Sequence, residues 1–434
     1  MTRFWQALSG PMTVACVGAK LAPEERTLYK GLIDIVGIQM FFELGLLGVL
    51  VSQVGHQFAS IESRDENADL AQARLAMLIR TSNRWFAGVA SVFAIAAIGL
   101  GFYVFVSVSL TQWLLPTVVL LFISALTISL SPGLAVLEGT GHRESVYLYR
   151  FCQACCGSLV VWMGLLLGFK IWVLPMSAFV QLAWTWYAVK WRFRSWFAKQ
   201  MTNTREANYS WIHDVIPVQW RMAVITIVGF VATQMFVLII IRFHSLEAAS
   251  SLGMTMMVVV AIQSMAMAWV QAKFPVISQL HGASDRHQAG VLWRKTGIIS
   301  SAILSGAMLV GFLFLLLVGK IQHPVCQSIS SWFISPALWL VLAMGCLVNH
   351  LIGLQGTYVL ARGLKPLVMA TVVGYGAVAI AVWYGGAMYA EVGVVWGYAS
   401  MLTLVALPIH TFAYLRVRDH QSPEYSLHSE TATE

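Results

Sequence analysis

Charged residues inside apolar stretches need a reason, because an ion in hydrocarbon costs from about 2.5 to more than 10 kcal/mol. Glu43 is the clearest case, lying deep in an apolar run within Gln39-Met40-Phe41-Phe42-Glu43-Leu44-Gly45. Gln39 precedes it by one helical turn on the same face. A carboxylate at that depth can take up and release a coupling proton or cation. The competing reading is a structural Glu, neutral or paired with an Arg across a helix interface. Arg221 is the second case, in Ile216-Pro217-Val218-Gln219-Trp220-Arg221, roughly 13 Å into its helix at 1.5 Å per residue. A guanidinium there can offer paired donors to a phosphate oxygen and stays charged, or its long side chain can snorkel to the headgroups. Lys273 and Arg150 lie nearer the interface, as cavity cations or as anchors. Asp34 falls near the outer end on the face opposite Glu43, where solvation is expected. His350 beside Asn349 reads as a proton relay or as a hydrogen bond to a neighbouring helix. Cys152, Cys155 and Cys156 lie within one helix without a second ligand pair at zinc spacing, so packing is their reading. No phosphate-binding loop, dinucleotide fingerprint or His-Glu-x-x-His pattern occurs in the sequence, which argues against an ATP-driven pump.

These residues are carried by twelve apolar stretches. The first six lie near 4–19, 28–55, 85–107, 112–137, 146–169 and 172–189, the second six near 212–241, 246–272, 296–319, 331–360, 366–386 and 391–415. Most reach the roughly 17–25 residues that a helix needs to cross ~30 Å of hydrocarbon. Charged residues make up 11% of the chain, against about 25% in soluble domains, which excludes an aqueous fold. Of the 27 Lys and Arg, 20 fall at the N-terminal end or in every second gap and 6 in the other gaps, leaving Arg221 inside a helix. The positive-inside rule therefore predicts cytoplasmic termini. The net charge of +8 is this orientation signal and points to no nucleic-acid partner. The first stretch also resembles a signal peptide, but an uncleaved helix preserves an even count.

The expected architecture is an all-α polytopic membrane protein with about 12 transmembrane helices in two six-helix lobes. Residues 1–190 form the first lobe, 191–211 a basic polar cytoplasmic linker, 212–418 the second lobe and 419–434 a disordered tail. Val51-Ser52-Gln53 and Ile277-Ser278-Gln279 close corresponding helices of the two halves. So do Val136-Leu137-Glu138-Gly139 and Val359-Leu360-Ala361-Arg362-Gly363. Two halves with even crossings enter from the same side, so a pseudo-twofold axis should run along the membrane normal.

Several stretches resemble bacterial polysaccharide-biosynthesis flippases. This is the O-antigen (Wzx-like) branch of the multidrug/oligosaccharidyl-lipid/polysaccharide (MOP, MATE-like) exporter superfamily. The resemblance rests on Leu21-Ala22-Pro23-Glu24-Glu25, Phe41-Phe42-Glu43-Leu44-Gly45, Leu137-Glu138-Gly139, Val146-Tyr147 with Tyr149-Arg150, and Pro217-Val218-Gln219-Trp220-Arg221. It continues through Leu252-Gly253-Met254-Thr255 to Trp269 and Lys273-Phe274-Pro275. Twelve helices suit this branch better than the lipid II flippases, which usually carry fourteen. The resemblance implies alternating access by two rocking lobes in the bacterial inner membrane, and no enzymatic activity. The implied cargo is an undecaprenyl-pyrophosphate-linked oligosaccharide. Arg221, Lys273 and Arg150 would be cavity cations, and Glu43 with Gln39 the coupling or gating pair. No cofactor is implied beyond a coupling H+ or Na+. Implied partners are the bilayer and the pathway's polymerase and glycosyltransferases. The rivals are a multidrug extruder of the same fold and a membrane glycan polymerase or ligase. The short outer gaps, of about ten residues at most, argue against the polymerase.

Overall fold

The computed structural model describes residues 2–43, 46–63, 68–201, 216–282, 286–362 and 367–419. Among these the chain is helical, without strands. Helix α1 is Thr2–Lys20. Helix α2 comes in three pieces, Pro23–Gly37, Gln39–Glu43 and Leu46–Glu62. Helices α3, α4 and α5 are Ala68–Val104, Leu110–Gly139 and Arg143–Leu166. Helix α6 begins at Val173–Trp186, widens by one turn at Tyr187–Arg192 and continues as Arg194–Gln200. The second lobe opens with α7, Ile216–Gln234 followed by Phe236–Phe243. Then come α8 (Ser250–Gly282), α9 (Arg286–Lys320) and α10 (Pro336–Ala361).

Val368–Met401 is hydrogen-bonded as one helix, but Tyr389 and Ala390 leave helical geometry, with φ +48° at Ala390. The two sides fold back on each other. A β-carbon on either Gly385 or Gly393 would overlap the other's backbone, and one on Gly397 would come within 2.8 Å of the Ala381 carbonyl. Each pair is symmetric about residue 389. This is an antiparallel hairpin of two crossings, α11 (368–388) and α12 (391–419), which completes the twelve helices expected. By length and hydropathy alone, seven stretches among the described residues qualify as spans, or nine with each bent pair counted as one. The hairpin enters that count once. The chain is a multi-pass membrane protein.

Packing between helices in lipid depends on close approach rather than on expulsion of water. Trp113, the fourth residue of α4, is buried against Gly101 of α3, whose added β-carbon would lie 3.1 Å from its ring. Trp339, the fourth residue of α10, is buried on Gly311 of α9 in the same way. The two halves thus repeat an architectural contact that their sequences do not advertise.

The stretch expected as a linker from residue 191 is structured as far as Met201. Trp196 and Phe197 pack on Leu50, Leu75 and Ala135 at the ends of α2, α3 and α4. Arg80 donates to the Met201 carbonyl at 2.9 Å. Apolar residues at the end of α6 bury themselves here, which a charge count overlooks. Residues 202–215 and 420–434 lie outside the described set.

Candidate functional site

Helix α2 breaks where its polar residues lie. Its first piece ends at Gly37, the Ile38 amide turns back to the Ile35 carbonyl at 3.2 Å, and the helix bends by 41° between Pro23–Glu43 and the piece starting at Leu46. Irregular backbone at membrane depth is tolerated where it faces protein or a hydrated cavity. Here Gln39 and Glu43 line a cavity of about 290 Å³, closed by Ser124, Thr127 and Ser131 of α4 and by Ser177 and Gln181 of α6. The structure therefore brings together the expected pair Gln39 and Glu43. It adds five neutral polar residues that the sequence reading missed, although 124, 127 and 131 share one face of α4 and 177 and 181 one face of α6. Pro132 of α4 cannot donate to the Ile128 carbonyl, and Ser131 Oγ does so instead at 2.7 Å.

The second lobe holds a larger cavity of about 1330 Å³. Its wall includes Gln263 and Trp269 of α8, Asn349 and His350 of α10, and Tyr375 of α11. Lys273 Nζ lies 5.9 Å from the centroid of the Trp269 ring, at the end of this cavity nearer the basic loops. Ser300 of α9 donates to the Ala266 carbonyl at 2.7 Å, so the 3.0 Å contact between its Oγ and His350 Nε2 is donated by the imidazole. His350 thus bonds a neighbouring helix, the plainer of its two readings. Tyr375 donates to Asn349 Oδ1 at 2.6 Å.

A third cavity, about 360 Å³ and almost wholly apolar, lies between the lobes. Val14 of α1, Ala261 and Met265 of α8, and Trp332 line it. Ala261 and Met265 also line the large cavity, so α8 is shared between an almost wholly apolar space and one that carries polar side chains.

The lobes meet tightly at the end opposite the basic loops. Thr27 of α2 donates to the Leu246 carbonyl at 2.6 Å, Arg26 lies 5.1 Å over Trp332, and Arg242 of α7 lies 4.8 Å over Tyr103 of α3. At the same end Lys170 donates to Glu25 at 2.7 Å, which holds its ammonium above the usual lysine range.

Asp34 corrects the sequence reading. It is buried, not solvated, and forms an ion pair with Lys30, also buried. The stem of Lys30 faces Gly253 of α8, so the seam between lobes, rather than headgroup water, surrounds the pair. Arg150 is half-buried and joins Glu138 at 3.0 Å rather than any of the three cavities. Arg221 lies on α7, but its side chain is outside the described residues.

No protein-family model and no curated protein matches the sequence. Solved structures do match its shape. An inward-facing multidrug resistance MATE family transporter of the MOP superfamily superposes with a TM-score of 0.60 at 12% identity, covering 96% of each chain. The lipid II flippase MurJ, in an inward closed conformation, gives 0.60 at 10% identity over 99% of this chain and 94% of that one. An outward-facing MATE family transporter gives 0.50 at 14% identity, covering 96% and 93%. The chain shares the fold of these transporters and of the flippase.

Proposed function

We propose that this chain is a flippase that moves an undecaprenyl-pyrophosphate-linked oligosaccharide across the bacterial inner membrane for surface polysaccharide synthesis. The observation that carries this reading is the shared wall of α8. An almost wholly apolar cavity between the lobes adjoins, through Ala261 and Met265, a larger one that carries Gln263, Gln271, Asn349 and His350, which suits a cargo with a lipid tail and a hydrophilic head. A pyrophosphate-sugar head cannot cross ~30 Å of hydrocarbon unaided. Lys273, beside the larger cavity, and Arg221 on α7 are the cations that would offset its charge. Arg150 contributes at the interface, through its ion pair with Glu138. Glu43, with Gln39, is the coupling or gating carboxylate, for H+ or Na+. The basic loops face the cytoplasm, as do both termini, so the described state is closed toward the periplasm and receives cargo from the inside. Its partners are the enzymes that assemble and polymerise the glycan.

Deleting the gene in a host that makes a surface glycan tests this. The expected result is undecaprenyl-linked glycan accumulating on the cytoplasmic leaflet. Hypersensitivity to cationic drugs without that accumulation would overturn the flippase in favour of a MATE-type extruder.

A further inference from the structure

Among the described residues, no Lys or Arg lines the first-lobe cavity, and the second has none in its lining either, though Lys273 follows Ala272 of its wall on α8 and lies 5.9 Å from the centroid of the Trp269 ring. Two of the four hydroxyls in the first cavity turn their protons away from it. Thr127 Oγ1 donates to the Ile123 carbonyl at 3.0 Å and Ser131 Oγ to the Ile128 carbonyl at 2.7 Å. Each has used its only proton on its own helix and presents lone pairs to the cavity. Glu43 adds carboxylate acceptors. The amides of Gln39 and Gln181 can both donate and accept, and neither side chain has a hydrogen-bond partner among the described residues.

Such a lining is rich in acceptors. A phosphate would find no cation here among the described residues, and a carboxylate, Glu43, that repels it. A lipophilic cation would find one carboxylate but no aromatic face, the usual companion of such ligands, since no Phe, Tyr or Trp lines this space among the described residues. A neutral ligand with several hydroxyls and an apolar ring face fits both the acceptors and the walls formed by Val36, Leu120, Ile128 and Leu174. At about 290 Å³ the space lies at the small end of ligand pockets, which limits it to a single ring.

We propose that this cavity is a subsite for one uncharged, hydroxyl-rich sugar ring of the cargo, with Gln39, Gln181 and Ser177 as its specificity-determining residues. The proposal rests on the flippase reading, and it divides the head between lobes: sugar in the first, pyrophosphate beside Lys273 in the second. The glycosyl transfer that supplies the cargo must then place a neutral sugar within reach of the pyrophosphate.

The test uses the full chain purified into lipid nanodiscs and photolabelled with p-azidophenyl β-D-glucopyranoside, p-azidophenyl phosphate or an azidophenyl trimethylammonium cation. The glucoside should label peptides of α4 or α6 that line the cavity and be displaced by free hexose. Gln181→Leu should cut that labelling at least fivefold, and Gln181→Asn less. Absence of displaceable glucoside label in the wild type, label unchanged in Gln181→Leu and in Ser177→Val, or preferential labelling by the cation or the phosphate would overturn the subsite. Native mass spectrometry with undecaprenyl pyrophosphate reads the flippase assignment separately. Sugar labelling without lipid binding would reject that assignment and keep the subsite; lipid binding without sugar labelling would do the reverse.

Discussion

Thr27 on α2 donates a 2.6 Å hydrogen bond to the carbonyl of Leu246, in the turn between α7 and α8. It is the one direct hydrogen bond described between the lobes at their closed end, flanked by the stacking of Arg26 on Trp332 and of Arg242 on Tyr103. A hydrogen bond of this kind contributes about 1 kcal/mol net, or roughly fivefold in a two-state ratio. Thr27→Val keeps the shape and removes the donor, so it should raise the open fraction at this end about fivefold. Spin labels on Ser109→Cys and Gln327→Cys, exposed on opposite lobes, would report a larger long-distance population. An unchanged distance distribution would mean that the aromatic contacts hold the end shut alone.

Glu43 stands in a cavity with no partner for its carboxylate among the described residues. Glu43→Gln keeps the size and removes the exchangeable charge. Transport should be abolished while the protein is still made and inserted, as read by complementation of a deletion strain beside immunoblotting of membranes. Full complementation would remove Glu43 from coupling.

Arg221→Ala and Lys273→Ala should each lower glycan export about tenfold or more, the scale of a lost charge-assisted hydrogen bond. Arg221→Lys should retain more activity than Arg221→Ala. Wild-type export by both Arg221 variants would reject phosphate binding there.

The buried pair of Lys30 and Asp34 predicts an asymmetric mutational response. Lys30→Met leaves Asp34 buried without its cation and should destabilise the protein by about 3–5 kcal/mol. The double change Lys30→Met with Asp34→Leu should recover most of that loss. Thermal unfolding in detergent would show it, and equal losses in single and double variants would contradict the pairing.

Ala390 sits at φ +48° in the turn of the last hairpin, where a β-carbon costs on the order of 1 kcal/mol or more. Ala390→Gly should therefore raise the unfolding temperature, and a lowered one would indicate that the Ala390 methyl packs usefully.

The twelve spans were legible because hydrocarbon demands long apolar stretches and basic residues mark one side; even the hairpin at Tyr389 was separable, since Glu391 beside its tip interrupts the apolar run. Glu43 and Gln39 were legible as a pair one turn apart. Ser124, Thr127, Ser131, Ser177 and Gln181 carried the same helical signature, but uncharged polar residues are common enough in membrane helices that only their convergence gives them meaning. Asp34 was misplaced because its distance along the helix suggested headgroups, while burial depends on α8 approaching through Gly253. Arg150 shows the limit from the other side: its partner Glu138 lies on the preceding helix, and no pattern within either helix identifies the pair.

The tryptophan knobs, Trp113 on Gly101 and Trp339 on Gly311, act as dowels. Each fixes how the third and fourth helices of its lobe cross, near the end where the lobes touch. With both joints pinned, the proposed rocking would turn each lobe as a lever instead of bending it, and small displacements between Thr27 and Leu246 would be magnified at the opposite mouth.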